Sequence, residues 1–258
     1  MNNSEILDIA MHQSSVDSNC APSDFCREDN VIVHSVPNPA ARKYLTLPFY
    51  CDLTSYGINV VASVSTEIEG EVKNYLSSFA PEHCFETPNL HVLNNALQKR
   101  NMCICFMAEY FLPDVNALTE QRCRYRTELL TSEDFSGLYT GEWSNALCER
   151  RKQLDVLGVG AYDNGRLIGL AGCSADCDTM WQIGIDVLPE YRRQGIASAL
   201  TSRLALEILH RDRVPFYCAA WSNIRSVRNA IKCGFRPSWV QMTAKSAEEV
   251  AKMNHKSD

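Results

Sequence analysis

Apolar and polar residues alternate with a period of two from residue 182 to 187: Ile183, Ile185 and Val187 face one way and Gln182, Gly184 and Asp186 the other. This is the pattern of a strand that buries one face. Pro189 has no N–H to continue a ladder and ends it. From Gly195 the period lengthens, with Ile196, Leu200, Leu204 and Ile208 four apart, which predicts a helix with one apolar stripe. A strand therefore runs through a basic, glycine-containing turn into a helix.

The same reading orders the rest of the chain. Up to about residue 29 the pattern predicts a short helix, then a second one capped by Ser23 or Asp24. Residues 31–36 read as a strand, and 47–52 with 58–64 as a hairpin around Ser55-Tyr56-Gly57. Residues 69–79 and 89–99 read as helices, and the apolar run 102–112 as a strand stopped by Pro113. After a polar link, 125–130 reads as a strand, a helix is expected to open at Ser132-Glu133-Asp134 with Thr131 or Ser132 as its cap, and 146–154 reads as helical. Residues 156–162 and 166–173 form a hairpin around Asp163-Asn164-Gly165, since Asn-Gly supplies the positive φ of a two-residue turn. Residues 215–219 read as a short buried strand. A helix capped by Ser222 and closed by Gly234 follows, then a last strand at 239–244, and a polar tail from Lys245.

Composition narrows the class. The chain has 258 residues, 45% of them hydrophobic, enough for one large or two ordinary domains. We expect two α/β lobes, 1–120 and 121–245, with a polar tail at 246–258. A formal charge of −6 with 22% charged residues favours neither disorder nor a general nucleic-acid surface. No apolar stretch is long enough to span a membrane and no leader pattern opens the chain, so a cytoplasmic protein with no membrane or nucleic-acid partner is expected. The twelve cysteines are scattered with no Cys-x-x-Cys pair, as for reduced thiols used as small hydrophobes. Zinc held by Cys173, Cys177 and Cys218 is the rival, and its spacing is poor.

The turn at 188–198 carries the candidate chemistry. The first N–H groups of a helix have no internal partner and attract anions, and Gly195 and Ala197 leave the main chain bare for a phosphorylated ligand. Arg192 and Arg193 add positive charge. This stretch resembles the pyrophosphate loop of the GNAT superfamily of acyl-CoA-dependent N-acyltransferases: Gln or Arg, two residues, Gly, one residue, then Gly or Ala, filled here by Arg192, Gly195 and Ala197. Asn223 and the pair Gly234-Phe235 stand where that family opens and closes a later helix. The resemblance covers about residues 125 to 244, and the first lobe is loosely similar to the first half of such a domain, without phosphate-loop residues.

The resemblance implies a mixed-sheet GNAT fold preceded by a smaller α/β lobe, and acetyl transfer from acetyl-CoA to a small-molecule or peptide amine by direct attack. The implied acyl-CoA site comprises Ile185, Asp186, Val187, Arg192, Arg193, Gln194, Gly195, Ile196, Ala197, Ser198 and Asn223, with no metal. The sheet edges of this fold frequently pair, so a homodimer is compatible with it. An oxyanion is most simply met by backbone N–H groups around Val187, where the strand splays from its neighbour. An amine of ordinary pKa near 10 must lose a proton before attack, and the departing thiolate gains from a proton donor.

Here the sequence departs from the family. The usual glutamate base is replaced by Trp181 and the usual tyrosine acid by Ala230. Asp186, Glu142, Tyr217, Glu109 or Tyr110 then become candidates for proton transfer. Trp143 and Trp181 become candidates for lining an apolar acceptor pocket that holds the amine neutral. The alternative is a module that binds acyl-CoA or a partner without catalysis.

Overall fold

A computed structural model describes residues 1–254. In chain order the elements are α1 (Asn3–Ser18), β1 (Val31–His34), β2 (Cys51–Ser55), β3 (Val61–Val64), α2 (Glu69–Ser78), α3 (Thr87–Gln98), β4 (Met102–Pro113) and β5 (Arg126–Thr131). They continue with β6 (Asp155–Asp163), β7 (Arg166–Ser174), β8 (Met180–Val187), α4 (Ile196–Leu209), β9 (Val214–Ala219), α5 (Ile224–Lys232), β10 (Phe235–Ser246) and α6 (Ala247–Asn254). The chain divides into two compact units, one of Met1–Ala10 with Tyr110–Pro237, the other of Met11–Glu109 with the chain from Ser238 onward. Each is discontinuous in sequence.

In the unit that holds the strand-turn-helix stretch, strands lie in the order β4-β9-β8-β7-β6-β5. Strands β5 to β8 form an antiparallel meander, and β8 pairs with β9 in parallel. The parallel join needs a crossover, and α4 supplies it. Its stripe of Ile196, Leu200, Leu204 and Ile208 is buried with Val159, Ile168 and Leu170 of β6 and β7. In the other unit the order is β1-β3-β2-β10-β4, β1 and β3 being parallel. Its core joins Leu53, Ala62 and Val64 to Val72 and Leu76 of α2 and Leu90, Leu93 and Leu97 of α3. A buried ion pair there, Arg42 Nε to Asp17 Oδ2 at 3.0 Å, is surrounded by hydrogen bonds to Ser14 and Tyr44.

Four local expectations are corrected. The helix expected at Ser132 is only the 3-10 turn Ser132–Phe135, closed by Gly137 at φ +84°. The helix expected over 146–154 is the 3-10 segment Glu149–Leu154, broken at Arg151. Cys148 interrupts the run, being extended at φ −111° and ψ 98° with its N–H donating to Asp155 Oδ2 at 2.8 Å, while just before it the N–H groups of Asn145 and Ala146 donate to the Asp186 carboxylate at 2.8 and 3.0 Å. The cap of α5 is Asn223, whose side chain accepts from Ser226 N at 3.2 Å, not Ser222. The first residues of the expected polar tail, Lys245 and Ser246, complete β10 and the next form α6, and its last four residues lie outside the described ones. Among the described residues, no helix is long and apolar enough to cross a membrane, and no group of three or more His, Cys, Asp or Glu could hold a metal. All twelve cysteines are free thiols.

Candidate functional site

The site grows from one rung of the sheet. Strands β8 and β9 pair from Met180–Val214 to Ile183–Tyr217, and there the pairing stops while β8 runs on to Val187. Leu188 N donates to Ile168 O of β7 at 3.0 Å. Backbone groups alternate sides along a strand, so the N–H groups of Val187 and Ile185 point away from β7 into the fork. That fork opens into a cleft of about 1070 Å³, walled by the end of β8, the start of α4 and the length of α5.

The loop from β8 to α4 builds the anion-binding wall. A 3-10 turn, Pro189–Tyr191, is followed by Arg193 at φ +62° and Gly195 at φ +81°. Left-handed residues alternating with ordinary ones turn main-chain N–H groups to one side, and α4 adds the unpaired donors of its first turn. Gly195 would meet nothing within 4 Å if it carried a Cβ, so its conformation, not lack of space, calls for glycine. The loop is anchored outside the cleft by Tyr191 Oη, which donates to Asp163 Oδ2 at 3.0 Å, and by Tyr125 Oη, which donates to Gln194 Oε1 at 2.8 Å, and at the cleft wall by Arg192 Nε, which donates to Val187 O at 3.0 Å.

The opposite wall is α5. Arg225, Arg228 and Lys232 fall at intervals of three and four, so they share one helical face and line the cleft. With Arg192 and Arg193 they set five cations against one carboxylate, Asp186, among the described lining residues. A chain of net charge −6 thus concentrates positive charge in one concavity, which favours a polyanionic ligand.

The floor depends on two cross-strand glycines. Gly172 of β7 pairs with Gly184 of β8, and the segment Asn145-Ala146 lies directly over them. A Cβ at Gly184 would sit 1.8 Å from Asn145 O, and one at Gly172 2.2 Å from Ala146 O. Asp186 locks the crossing segment, accepting from both N–H groups and from Asn145 Nδ2 at 2.6 Å.

Of the residues the sequence singles out, Ile185, Asp186, Val187, Arg192, Arg193, Gly195, Ile196, Ala197, Ser198 and Asn223 come together around this cleft. Gln194 is outside it, turned toward Tyr125. Glu142 is exposed on the 3-10 turn Gly141–Trp143, Trp143 is buried in the core, and Trp181 packs against the same core; none of them lines the cleft. Glu109 and Tyr110 do not line it either. Asn145, Ser226, Asn229 and the α5 cations do, and the sequence reading missed them. The cations had a signal in their helical spacing. Asn145 had none, because only the long-range bond to Asp186 brings it there.

Fold and site together define an α/β protein with a forked parallel strand pair and a cationic cleft at a helix N-terminus. Residues 80–239, well over half of the chain, match the family model of the GNAT acetyltransferases, and the chain belongs to that family. This places it among the acyltransferases. No match was found among curated protein sequences. Among solved structures, the chain is similar to a GNAT-family acetyltransferase from Colwellia psychrerythraea (15% identity, TM-score 0.43, covering 56% of this chain and 57% of that one). It is also similar to a GCN5-related N-acetyltransferase-like protein from Streptococcus suis (18%, TM-score 0.45, covering 62% and 68%). A third is a GCN5-related N-acetyltransferase from Kribbella flavida (14%, TM-score 0.46, covering 59% and 62%). The chain thus spans less than two thirds of the Colwellia and Kribbella proteins.

Proposed function

We propose that the protein is an N-acetyltransferase that takes the acetyl group of acetyl-CoA and passes it to a primary amine by direct attack in a ternary complex. The observation that carries this reading is the meeting, in one cleft, of a left-handed loop at a helix N-terminus, a forked strand end and five cations. In this reading the pyrophosphate lies against the loop from Arg192 to Ser198, and Arg225, Arg228 and Lys232 face the remaining phosphate. The pantetheine arm runs into the fork beside Asn223. The thioester carbonyl accepts from the outward N–H groups of Val187 and Ile185, placed where negative charge develops during attack.

Asp186 does not serve as the base in this scheme, because three donors already hold its carboxylate. It positions the segment over Gly172 and Gly184, which borders the place where an amine approaches. That same commitment of the one lining carboxylate favours a second reading, a module that binds acyl-CoA without transferring the acyl group.

Calorimetric titration with acetyl-CoA and with free CoA tests the site. Micromolar binding is expected, with loss of binding in Gly195→Trp, whose side chain would fill the approach to the loop. Absence of binding by the unaltered protein would remove the assignment. Release of CoA from acetyl-CoA over a panel of primary amines separates the enzyme from the binding module.

A further inference from the structure

Tyr217 occupies the last paired rung of β8 and β9, the point at which the strands part. Its side chain is only 2% exposed, yet it lines the cleft. Its Oη lies 2.9 Å from Ser226 Oγ of α5. Four hydroxyl groups line the cleft among the described residues, those of Tyr191, Ser198, Tyr217 and Ser226. Tyr191 gives its proton to Asp163, outside the cleft, and Ser198 Oγ gives its own to Gly195 O at 3.1 Å. Tyr217 and Ser226 bond to each other. In such a pair one proton is used in the mutual bond and the other stays available, whichever oxygen donates.

We propose that Tyr217 is the proton donor to the thiolate that leaves when an acyl thioester is cleaved in this cleft, with Ser226 as the route by which it is recharged; this rests on the acetyltransferase reading above. The amine lone pair forms the C–N bond at the carbonyl carbon. The C–S bond breaks, its electron pair passes to sulfur, and the Tyr217 Oη proton follows, giving the CoA thiol. The surplus proton of the new amide nitrogen goes to water, and the phenolate regains a proton from water through Ser226 Oγ. A donor seated at the fork is next to the strand end whose N–H groups hold the carbonyl, so one locus serves both atoms that gain charge. Burial raises the phenol above its ordinary value, opposed by hydrogen bonds from Ser226 and Asn229, so it is protonated at neutral pH. The titratable groups that act on it are the Cys218 and Cys233 thiols, and Asp186 of β8 with Arg225, Arg228 and Lys232 of α5 line the same cleft.

The test uses the full chain with acetyl-CoA, a panel of primary amines and hydroxylamine, reading released thiol, with calorimetry in parallel. Tyr217→Phe keeps the ring and removes the proton. We expect its acetyl-CoA affinity to stay within about twofold while kcat falls about 10²-fold, the usual contribution of a positioned acid. The alkaline limb of the kcat profile, present while the phenol must be protonated, is lost in the same variant. Ser226→Ala keeps the phenol and should lower kcat by a smaller factor, about tenfold. Unchanged kcat in Tyr217→Phe overturns the proposal, as does a fall in kcat matched by an equal fall in affinity. If the unaltered protein binds acetyl-CoA and releases no CoA with any nucleophile, the proton-donor role is overturned while the ligand site stands. Failure to bind overturns both.

Discussion

Asp52 and Asp155 are carboxyl groups buried in different units, and burial raises each to about 6. Hydrogen bonds from Thr243, Gln241 and Thr54 oppose the shift at Asp52, and the Cys148 N–H opposes it at Asp155. A carboxyl group whose folded pKa lies above its unfolded value holds more protons in the native state. Its contribution to stability is fully present below the unfolded value near 4 and is lost as pH rises through about 6. Each group is worth roughly 3 kcal/mol over that window by the usual conversion of pKa shift to free energy. Urea unfolding between pH 4 and 7 should therefore show stability falling as pH rises, counter to the common acid-denaturation trend. Asp52→Asn should flatten its share of that slope. A slope of the opposite sign across the window would refute the assignment of these two carboxyls.

At the scale of elements, α5 makes the most specific forecast. Its three cleft-lining cations are exposed, so their attraction for a polyanion is screened by salt over a Debye length of about 10 Å at 0.1 M. Arg225→Ala, Arg228→Ala and Lys232→Ala should each weaken acetyl-CoA several-fold at low salt, and the differences should shrink as salt is raised, as measured by calorimetry at two ionic strengths. Affinity that ignores all three would take α5 out of the site. The elements also show what a sequence reveals and what it hides. Strands β5 to β9 and helix α4 were legible because their periods of two and about four persist over whole elements, and the loop at 192–198 was legible because its chemistry is local. The segment at 141–154 was not: its residues favour a helix, but Cys148 is extended and gives its N–H to the Asp155 carboxylate, and Arg151 breaks the run again. The place of Trp181 misled for a related reason. Its position in the chain marks a catalytic locus by resemblance, yet its indole contributes to the core.

For the whole molecule, the two compact units do not follow a single cut in the chain. The unit containing the cleft includes Tyr110–Pro237, and β4 neighbours β9 in its sheet. The Tyr110 ring lies 6.4 Å from that of Phe216, and Asp114 accepts from Asn3 at 2.7 Å while pairing with Arg236. A fragment beginning at residue 121 would leave β9 as an exposed edge, the kind of strand that recruits other chains. Such a fragment should be less soluble and melt lower than the full chain; light scattering and circular dichroism read the two effects.

The interleaving also sets an order of assembly on the ribosome. Strand β2 gains its β10 neighbour only when Val240–Thr243 has been made, since those residues pair with Ser55–Asp52. The unit with the cleft is complete in sequence at Pro237, before that. At a synthesis rate of about 5–20 residues per second, β2 waits roughly ten seconds or more with one side unpaired. The lobe that holds the first three strands is finished last, and the nascent chain must shelter those strands until the late one emerges.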